Sequence, residues 1–228
     1  MYTYEYQRPA LAVDCVVFGF DGARLNVLLI KRAIEPFKGG SALPGGFVRI
    51  NETVDDCARR ELTEETGIDN LFMEQLYTFS DIDRDPRERV VSVAYFALVK
   101  SSDFKPASGG DASNVAWVDV KNLTDLAFDH QKIINMALIR IKNQIRYKPI
   151  GFELLNDKFS IPQLQLLYEA VLNKTLDRRN FSGKILKTGL LVRLDEKLSN
   201  GRHRSAQLYR FDRQKYNDLS AKGFNFEI

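Results

Sequence analysis

One short stretch of the chain concentrates acidic side chains at a spacing that could hold a metal ion. Glu61, Glu64 and Glu65 occupy one predicted helix, and Gly46 and Glu52 precede it in a glycine-rich segment. At about 100° per residue, Glu61, Glu64 and Glu65 share an edge with the apolar positions of this helix, whereas a merely solvated acidic face would lie opposite them. Carboxylates gathered near a helix C-terminus repel one another and oppose the helix dipole. A bound cation relieves both penalties, and hard oxygen ligands suit Mg²⁺ or Mn²⁺.

The elements around this cluster follow from apolar periodicity and turn residues. Strands are predicted where β-branched and aromatic residues run together, and helices where apolar residues recur every three or four positions. Gly67 is a normal end for the acidic helix, and Asp21-Gly22 predicts a hairpin turn. The predicted strands are 11–20, 25–31, 71–80, 89–99 and 115–118, the predicted helices are 53–66 and 129–146, and 36–48 is predicted as a loop. This order predicts an α/β fold.

The acidic helix and the segment before it match a known signature. Gly46, Glu52 and the run from Arg60 to Ile68 (RELTEETGI) occupy every fixed position of the Nudix box at the correct spacing. Residues 8–148 therefore resemble the Nudix hydrolases, and the first domain is predicted to span residues 1–148. The resemblance implies an α/β/α sandwich with a mixed sheet.

The resemblance to the Nudix family also implies the roles of the site residues. Glu61, Glu64 and Glu65 would bind the metal together with a main-chain carbonyl of Gly45 or Gly46. Arg60 would orient a glutamate of the cluster, and Glu52 would support the metal network. The ion would neutralise a diphosphate and lower the pKa of an attacking water.

Two alternatives remain open for the box, and the general base is not determined. The acids could form a solvated helix face, or the fold could be retained for ligand binding after catalysis was lost. Asp111 or Glu88 could act as the general base, but the sequence selects neither.

A second motif bears on the substrate. The segment Asp83-Arg84-Asp85-Pro86-Arg87-Glu88-Arg89 resembles the "RDPR" segment of ADP-ribose pyrophosphatases and of their regulator relatives. Arg84, Arg87 and Arg89 could hold a diphosphate through forked hydrogen bonds, although a charged turn with proline is the structural alternative. ADP-ribose is the preferred nucleoside diphosphate derivative, while a sugar nucleotide, a dinucleotide or a sugar phosphate remains open.

The C-terminal part of the chain differs from the first part in net charge and in the order of its predicted helices and strands. From Gly151 onward there are 14 basic and nine acidic residues, against 19 basic and 21 acidic before it. Lys148-Pro149-Ile150-Gly151 breaks the preceding helix, which predicts a second domain over residues 149–228. Ser160-Ile161-Pro162-Gln163 predicts a capping box for a helix that runs to about Asn173. A helix capped by Asp177 and strands at 190–194 and 206–211 complete the order of a winged helix-turn-helix.

This part resembles the winged helix of the Nudix-related transcriptional regulators, the NrtR-like group. The matching stretches are 159–165, 168–169, 177–181, 201–202 and 206–209. The resemblance implies a homodimer that binds double-stranded DNA, with the helix after Asp177 in the major groove; a basic dimerisation appendage is the alternative. The implied DNA-binding residues are Arg178, Arg179, Asn180, Lys184, Lys187, Arg202 and Arg204, while Phe181, Ile185 and Leu186 would anchor the helix. Many such regulators have a degraded box, so the complete box here favours a dual role as hydrolase and regulator.

The composition and the apolar runs of the chain indicate the cellular compartment in which we expect the protein. The chain contains neither an apolar run of about 18 residues nor a signal-peptide pattern, so we expect a cytoplasmic protein without membrane partners. Cys15 and Cys57 lie in apolar or helical patterns, which predicts buried free thiols. Two cysteines and two histidines are too few for a convincing zinc site.

Overall fold

A computed structural model of the chain describes residues 5–69, 71–104, 107–110, 112–198, 205–224 and 226. The predicted residues Asp111, Arg202 and Arg204 lie outside these ranges. The chain divides into two compact units, one formed by residues 1–19, 26–97 and 101–138 and the other by residues 20–25, 98–100 and 139–228. Among the described residues, no helix is both long enough and apolar enough to span a bilayer.

A seven-stranded sheet carries most of the first unit. Its strands are β1 (Ala10–Phe20), β2 (Leu25–Arg32), β3 (Ser41–Ala42), β4 (Gly45–Phe47), β5 (Glu74–Phe79), β6 (Val90–Lys100) and β7 (Ala112–Asp119). The order is β3-β2-β1-β6-β5, with β4 also paired to β1 and β7 to β2. The central strand β1 is buried from Ala12 to Phe20, as its nearly continuous apolar sequence predicts. The α/β fold class is therefore confirmed.

Two helices complete the first unit. The box helix α1 (Val54–Thr66) begins at Thr53, whose side chain accepts from the Asp56 N–H, and ends at Gly67 with φ 70°, so both predicted ends are confirmed. The second helix, α2, spans His130–Tyr147 and continues into the other unit. Its predicted apolar face is buried at Ile133, Ala137, Ile141 and Ile145.

The second unit has the element order of a winged helix. It contains β8 (Phe159–Ser160), α3 (Ile161–Leu172), α4 (Arg178–Lys187), β9 (Leu191–Leu198), β10 (Ala206–Phe211) and α5 (Arg213–Ser220). The capping box is confirmed, because Ser160 and Gln163 each accept from the other's main-chain N–H. Asp177 caps α4 by accepting from the Asn180 N–H at 2.8 Å. The strands β8, β10 and β9 form a sheet in that order.

The structure corrects several short elements. The predicted loop at 36–48 contains β3 and β4, the strand predicted from residue 71 begins at Glu74, and β7 begins three residues before its predicted start. The helix α5 was not predicted. The short segments β3 and β4 are strands because they pair with β2 and β1. The local sequence does not contain that tertiary contribution.

Candidate functional site

The box helix brings two of its glutamates against the glycine-rich turn. Glu65 is only 5% exposed, and its Oε2 accepts a hydrogen bond from the Gly45 N–H at 2.9 Å. Glu61 is half-buried, and its carboxylate lies so close to Gly46 that a side chain at that position would have to displace it. Glu64 is 45% exposed at its side chain. The burial of Glu61 and Glu65 confirms that they lie at the edge of the apolar face, whereas Glu64, which was predicted at the same edge, is exposed.

Arg60 connects the acidic residues of the box. Its Nε and Nη2 donate to the two carboxylate oxygens of Glu52 at 2.9 and 2.6 Å, and its Nη1 donates to Glu61 at 2.5 Å and to Glu64 at 3.2 Å. The Arg60 hydrogen bond is the main reason that the pKa of Glu52 falls to about 2. Glu52 therefore remains a carboxylate at neutral pH and holds Arg60 in place.

The donor atoms of this site fit a divalent cation. Glu61 and Glu65 approach the turn at Gly45 and Gly46 from the same helix. The atoms that these residues offer to a metal ion are carboxylate and carbonyl oxygens, the hard ligands that Mg²⁺ and Mn²⁺ prefer. Burial raises the pKa of Glu61, against the lowering effect of the Arg60 guanidinium, so additional positive charge would stabilise its anionic form. Among the described residues, no three acidic, histidine or cysteine side chains are already gathered as a metal centre. Arg60 supplies the neighbouring positive charge in this arrangement.

The RDPR segment places its first arginine in a buried ionic network. Arg84 donates to Asp129 at 3.1 and 2.7 Å and to Asp14 at 3.0 Å, and its side chain is 4% exposed. Asp14 also accepts from the Ser92 hydroxyl at 2.6 Å. Burial alone would raise the pKa of Asp14, but His130, Arg84 and Ser92 hold it well below its ordinary value. Arg84 thus ties β1 to the start of α2.

His130 extends this network to the glycine-rich turn. Its Nδ1 accepts from the Leu43 N–H at 2.8 Å, and its Nε2 lies 3.2 Å from Asp14. The sequence analysis selected neither His130 nor Asp14 as a site residue. An aspartate inside the apolar run LAVDCVVFGF was the available signal, because a buried carboxylate needs a partner.

The other two arginines of the segment have different surroundings. Arg87 donates to Asp85 at 3.0 and 2.8 Å and lines a pocket that also includes Gly45, Gly46 and Phe128. Arg89 donates to the main-chain carbonyls of Ser80 and Asp81 at 2.9 and 3.0 Å. Of the three predicted substrate-binding arginines, Arg84 and Arg87 both line this pocket beside the box turn. Arg84 is also engaged in the buried ionic network, and Arg89 binds main-chain carbonyls instead.

The first unit also contains the candidate general base Glu88 and the two cysteines. Glu88 is exposed on the RDPR segment, and no contact of the described residues selects it as a base. Cys15 and Cys57 are both buried and free, as the sequence predicts. Burial raises the pKa of the Cys15 thiol, so neither its setting nor its protonation favours a nucleophile.

The helix α4 exposes the side chains that the resemblance assigns to DNA. Phe181 and Ile185 are buried and anchor the helix, and the Phe181 ring packs edge-on against Tyr168 at 5.2 Å. The predicted third anchor, Leu186, is wrong, since it is 44% exposed; it lies about 100° around the helix from Ile185. The exposed residues of α4 include Arg178, Arg179, Asn180, Lys184 and Lys187.

These two units define a class of protein in which a Nudix domain is joined to a winged helix. Residues 8–136 match the family model of the NUDIX domain, and residues 151–211 match that of the NrtR DNA-binding winged helix domain. The chain belongs to the Nudix family and carries the winged helix of its NrtR branch.

Two of three similar proteins match nearly the whole chain, and the third matches its first part. The "ADPR responsive transcriptional repressor NtrR" of Acinetobacter baylyi is 34% identical over 97% of this chain and 87% of its own length. An ADP-ribose pyrophosphatase of Methanocaldococcus jannaschii is 43% identical over 57% of this chain and 73% of its own length. The crystal structure of Shewanella oneidensis NrtR with a 27mer DNA superposes with a TM-score of 0.76 at 30% identity, covering 95% of this chain and 97% of that one.

Proposed function

We propose that the protein is an ADP-ribose-responsive DNA-binding transcriptional regulator whose Nudix domain also hydrolyses ADP-ribose with Mg²⁺ or Mn²⁺. The complete box carries the hydrolase part: Glu65 meets Gly45, and Arg60 holds Glu52, Glu61 and Glu64. Both the repressor of Acinetobacter baylyi and the pyrophosphatase of Methanocaldococcus jannaschii are named for ADP-ribose, which supports it as the ligand.

The residues of the box and of the RDPR segment would have different roles in binding the metal ion and the diphosphate. Glu61, Glu64 and Glu65, with a main-chain carbonyl at Gly45 or Gly46, would hold the metal ion. When bound, the ion supplies charge for the diphosphate and lowers the pKa of a water. Arg60 keeps Glu61 and Glu64 oriented. Arg87 faces the same pocket and would pair with a phosphate, whereas Arg84 and Arg89 would act by holding the loop that carries it.

For the regulatory part we propose a cytoplasmic homodimer that acts through two winged helices. Residues 1–148 would read the metabolite and residues 149–228 would bind the operator. Within the described chain, the exposed basic side chains of α4 around the buried anchors Phe181 and Ile185 support insertion of this helix in the major groove. The proposed wing contacts, Arg202 and Arg204, lie outside the described residues.

Metal removal tests the enzymatic part. With Mg²⁺ we expect the purified protein to convert ADP-ribose to AMP and ribose 5-phosphate, and EDTA should abolish this until Mg²⁺ or Mn²⁺ is restored. Phosphate released by a coupled phosphatase measures the reaction. Turnover that is unchanged by EDTA, or no turnover with either ion, would overturn the hydrolase and leave a catalytically silent sensor.

Substitutions in α4 test the regulatory part. Arg178→Ala/Arg179→Ala should weaken binding to DNA from upstream of the protein's own or neighbouring genes at least about tenfold. It should also make the slope of log K against log salt shallower by about 1–2, because each phosphate contact contributes about 0.9. Gel shifts at several salt concentrations measure both quantities. Lys222→Ala, beyond α5, is the control that removes one basic side chain away from α4. If it weakened DNA binding as much per lost charge as the arginine variant does, the assignment would be contradicted.

A further inference from the structure

A small cavity lies beside the first turns of α4 in the second unit. It is lined by residues of α2, α3, α4 and the turn between α3 and α4, all of which belong to that unit. Its volume of about 200 Å³ exceeds the roughly 150 Å³ that admits benzene to an apolar protein interior. It is smaller than the roughly 300 Å³ or more of sites for larger ligands. The cavity therefore suits a molecule with one ring and is too small for a nucleotide such as ADP-ribose.

The apolar walls of this cavity are held in place by the fold. The rings of Tyr168 and Phe181 pack edge-on with their centroids 5.2 Å apart, and both residues are buried. Leu172 and Leu176 add aliphatic surface to the lining. The turn that carries Leu176 is tied to α3, because the Leu176 N–H donates to Glu169 Oε1 at 2.8 Å. A preformed cavity with aromatic and aliphatic walls favours a flat apolar group.

The rim of the cavity is positively charged. Arg146, Lys174 and Lys184 line it and are exposed, and within the described part of the chain none of the three forms an ion pair. Asp177 also lines the cavity, but one of its oxygens caps α4 by accepting from the Asn180 N–H at 2.8 Å. The helix dipole stabilises a carboxylate at that position. Three cations against one capping carboxylate favour an anionic ligand.

The hydroxyl of Tyr168 is a buried donor without an acceptor. Among the described residues it has no hydrogen-bond partner, although nearly all buried hydroxyls have one, because an unmade hydrogen bond in the interior costs free energy. Burial raises the pKa of Tyr168, so the hydroxyl keeps its proton at neutral pH. Tyr168 lines the cavity, and a ligand that carries an acceptor would satisfy this group.

We propose that this cavity is a second ligand site, which binds a small aromatic carboxylate. The ring of the ligand lies against Tyr168 and Phe181, and its carboxylate pairs with the basic side chains of the rim and accepts from the Tyr168 hydroxyl. Asn180 and Lys184 line the cavity and are also proposed to contact DNA. The ligand therefore competes with DNA for them, a step that rests on the proposed function. By linkage, DNA lowers the affinity for the ligand by the same factor as the ligand lowers the affinity for DNA.

Fluorine NMR of 4-fluorobenzoate, titrated with the full chain in the absence of DNA, tests the site by itself. We expect saturable binding with a dissociation constant of about 1 mM or tighter. The neutral analogue 4-fluorobenzamide, which has nearly the same shape, should bind at least about tenfold more weakly. Arg146→Gln should weaken 4-fluorobenzoate binding about tenfold or more, because it removes a hydrogen bond to a charged group. Lys148→Gln, a basic residue just beyond α2 and outside the cavity, is the control and should change nothing.

Tyr168→Phe separates ligand binding from stability. It should weaken 4-fluorobenzoate binding about tenfold without lowering the melting temperature, because the hydroxyl has no partner to lose among the described residues. No saturable binding by the wild type, or equal binding by the wild type and Arg146→Gln, would overturn the site. A lower melting temperature of Tyr168→Phe with normal binding would overturn the part assigned to the hydroxyl.

Gel shifts with the same upstream DNA test the competition. At about ten times its dissociation constant, 4-fluorobenzoate should weaken DNA binding by the wild type about tenfold, and the effect on Arg146→Gln should be much smaller. Sodium acetate at the same concentration controls for ionic strength and should have little effect. DNA binding that is unchanged when NMR shows the site to be filled would overturn the competition. A protein that binds 4-fluorobenzoate but no DNA would instead overturn the regulatory part of the proposed function.

Discussion

Glu64→Gln should lower the rate of ADP-ribose hydrolysis by more than about 100-fold without destabilising the fold. Loss of a residue that merely supports a metal ligand already costs about 10- to 100-fold, and Glu64 is proposed as a ligand itself. Its side chain is 45% exposed, and its contacts are with Arg60 at 3.2 Å and with Arg49 at 3.6 Å. The uncharged amide should therefore affect the reaction and not folding. Coupled phosphate release and thermal unfolding measure the two effects separately.

A second acidic residue of the same helix provides the control. Asp56→Asn also removes one negative charge from α1, but Asp56 contacts Thr53 and Arg59 on a different face from the cluster. It should retain nearly full activity. If Glu64→Gln and Asp56→Asn were equally active, Glu64 would have no part in catalysis.

Arg84→Met should destabilise the Nudix unit by about 3–5 kcal/mol, the usual cost of removing one partner from a buried ion pair. The variant leaves the carboxylates of Asp14 and Asp129 in the interior without their guanidinium. A methionine side chain fills part of the volume but offers no donor. The free energy of unfolding, obtained from urea titration followed by circular dichroism, measures this loss.

The neighbouring arginine separates this effect from a general loss of charge. Arg87→Met removes the same group from the same segment, but the Arg87 side chain is 38% exposed and its buried partner Asp85 keeps the hydrogen bond from the Arg87 main-chain N–H. We therefore expect a smaller loss of stability than for Arg84→Met. Adding Asp129→Asn to Arg84→Met should recover part of the lost stability, because a neutral amide is less costly to bury than an unpaired carboxylate. Equal unfolding midpoints for Arg84→Met and Arg87→Met would show that the buried network does not hold the unit together.

Local signals in the sequence were sufficient for the box and for most of the elements. The ends of α1 follow from Thr53 and Gly67, and the start of α3 follows from the capping box at Ser160, because these residues satisfy main-chain groups within a few positions. The burial of Glu65 followed from its angle on the helix. The periodicity of α2 and the apolar run of β1 likewise predicted which faces are buried.

Features that depend on distant residues were missed. The sequence does not show that Arg84 pairs with Asp14 and Asp129, 70 and 45 positions away. For the same reason, the sequence alone does not distinguish the three arginines of the RDPR segment, whereas in the structure Arg84 is buried and Arg89 binds main-chain carbonyls. The contacts of the Arg87 guanidinium with the rings of Phe47 and Phe128, at 5.1 and 5.6 Å, also join three separate segments, and nothing local to any of them predicts these contacts.

Metal uptake by the box glutamates is the most direct test of the whole account. Free Mn²⁺ can be counted by electron paramagnetic resonance while the protein is titrated, first alone and then with ADP-ribose. The account predicts saturable uptake by the wild type, stronger with ADP-ribose, and its loss in the variant Glu61→Gln/Glu64→Gln/Glu65→Gln. If the wild type and this variant bound Mn²⁺ equally, with and without ADP-ribose, the assignment of these glutamates to a metal ion would be contradicted.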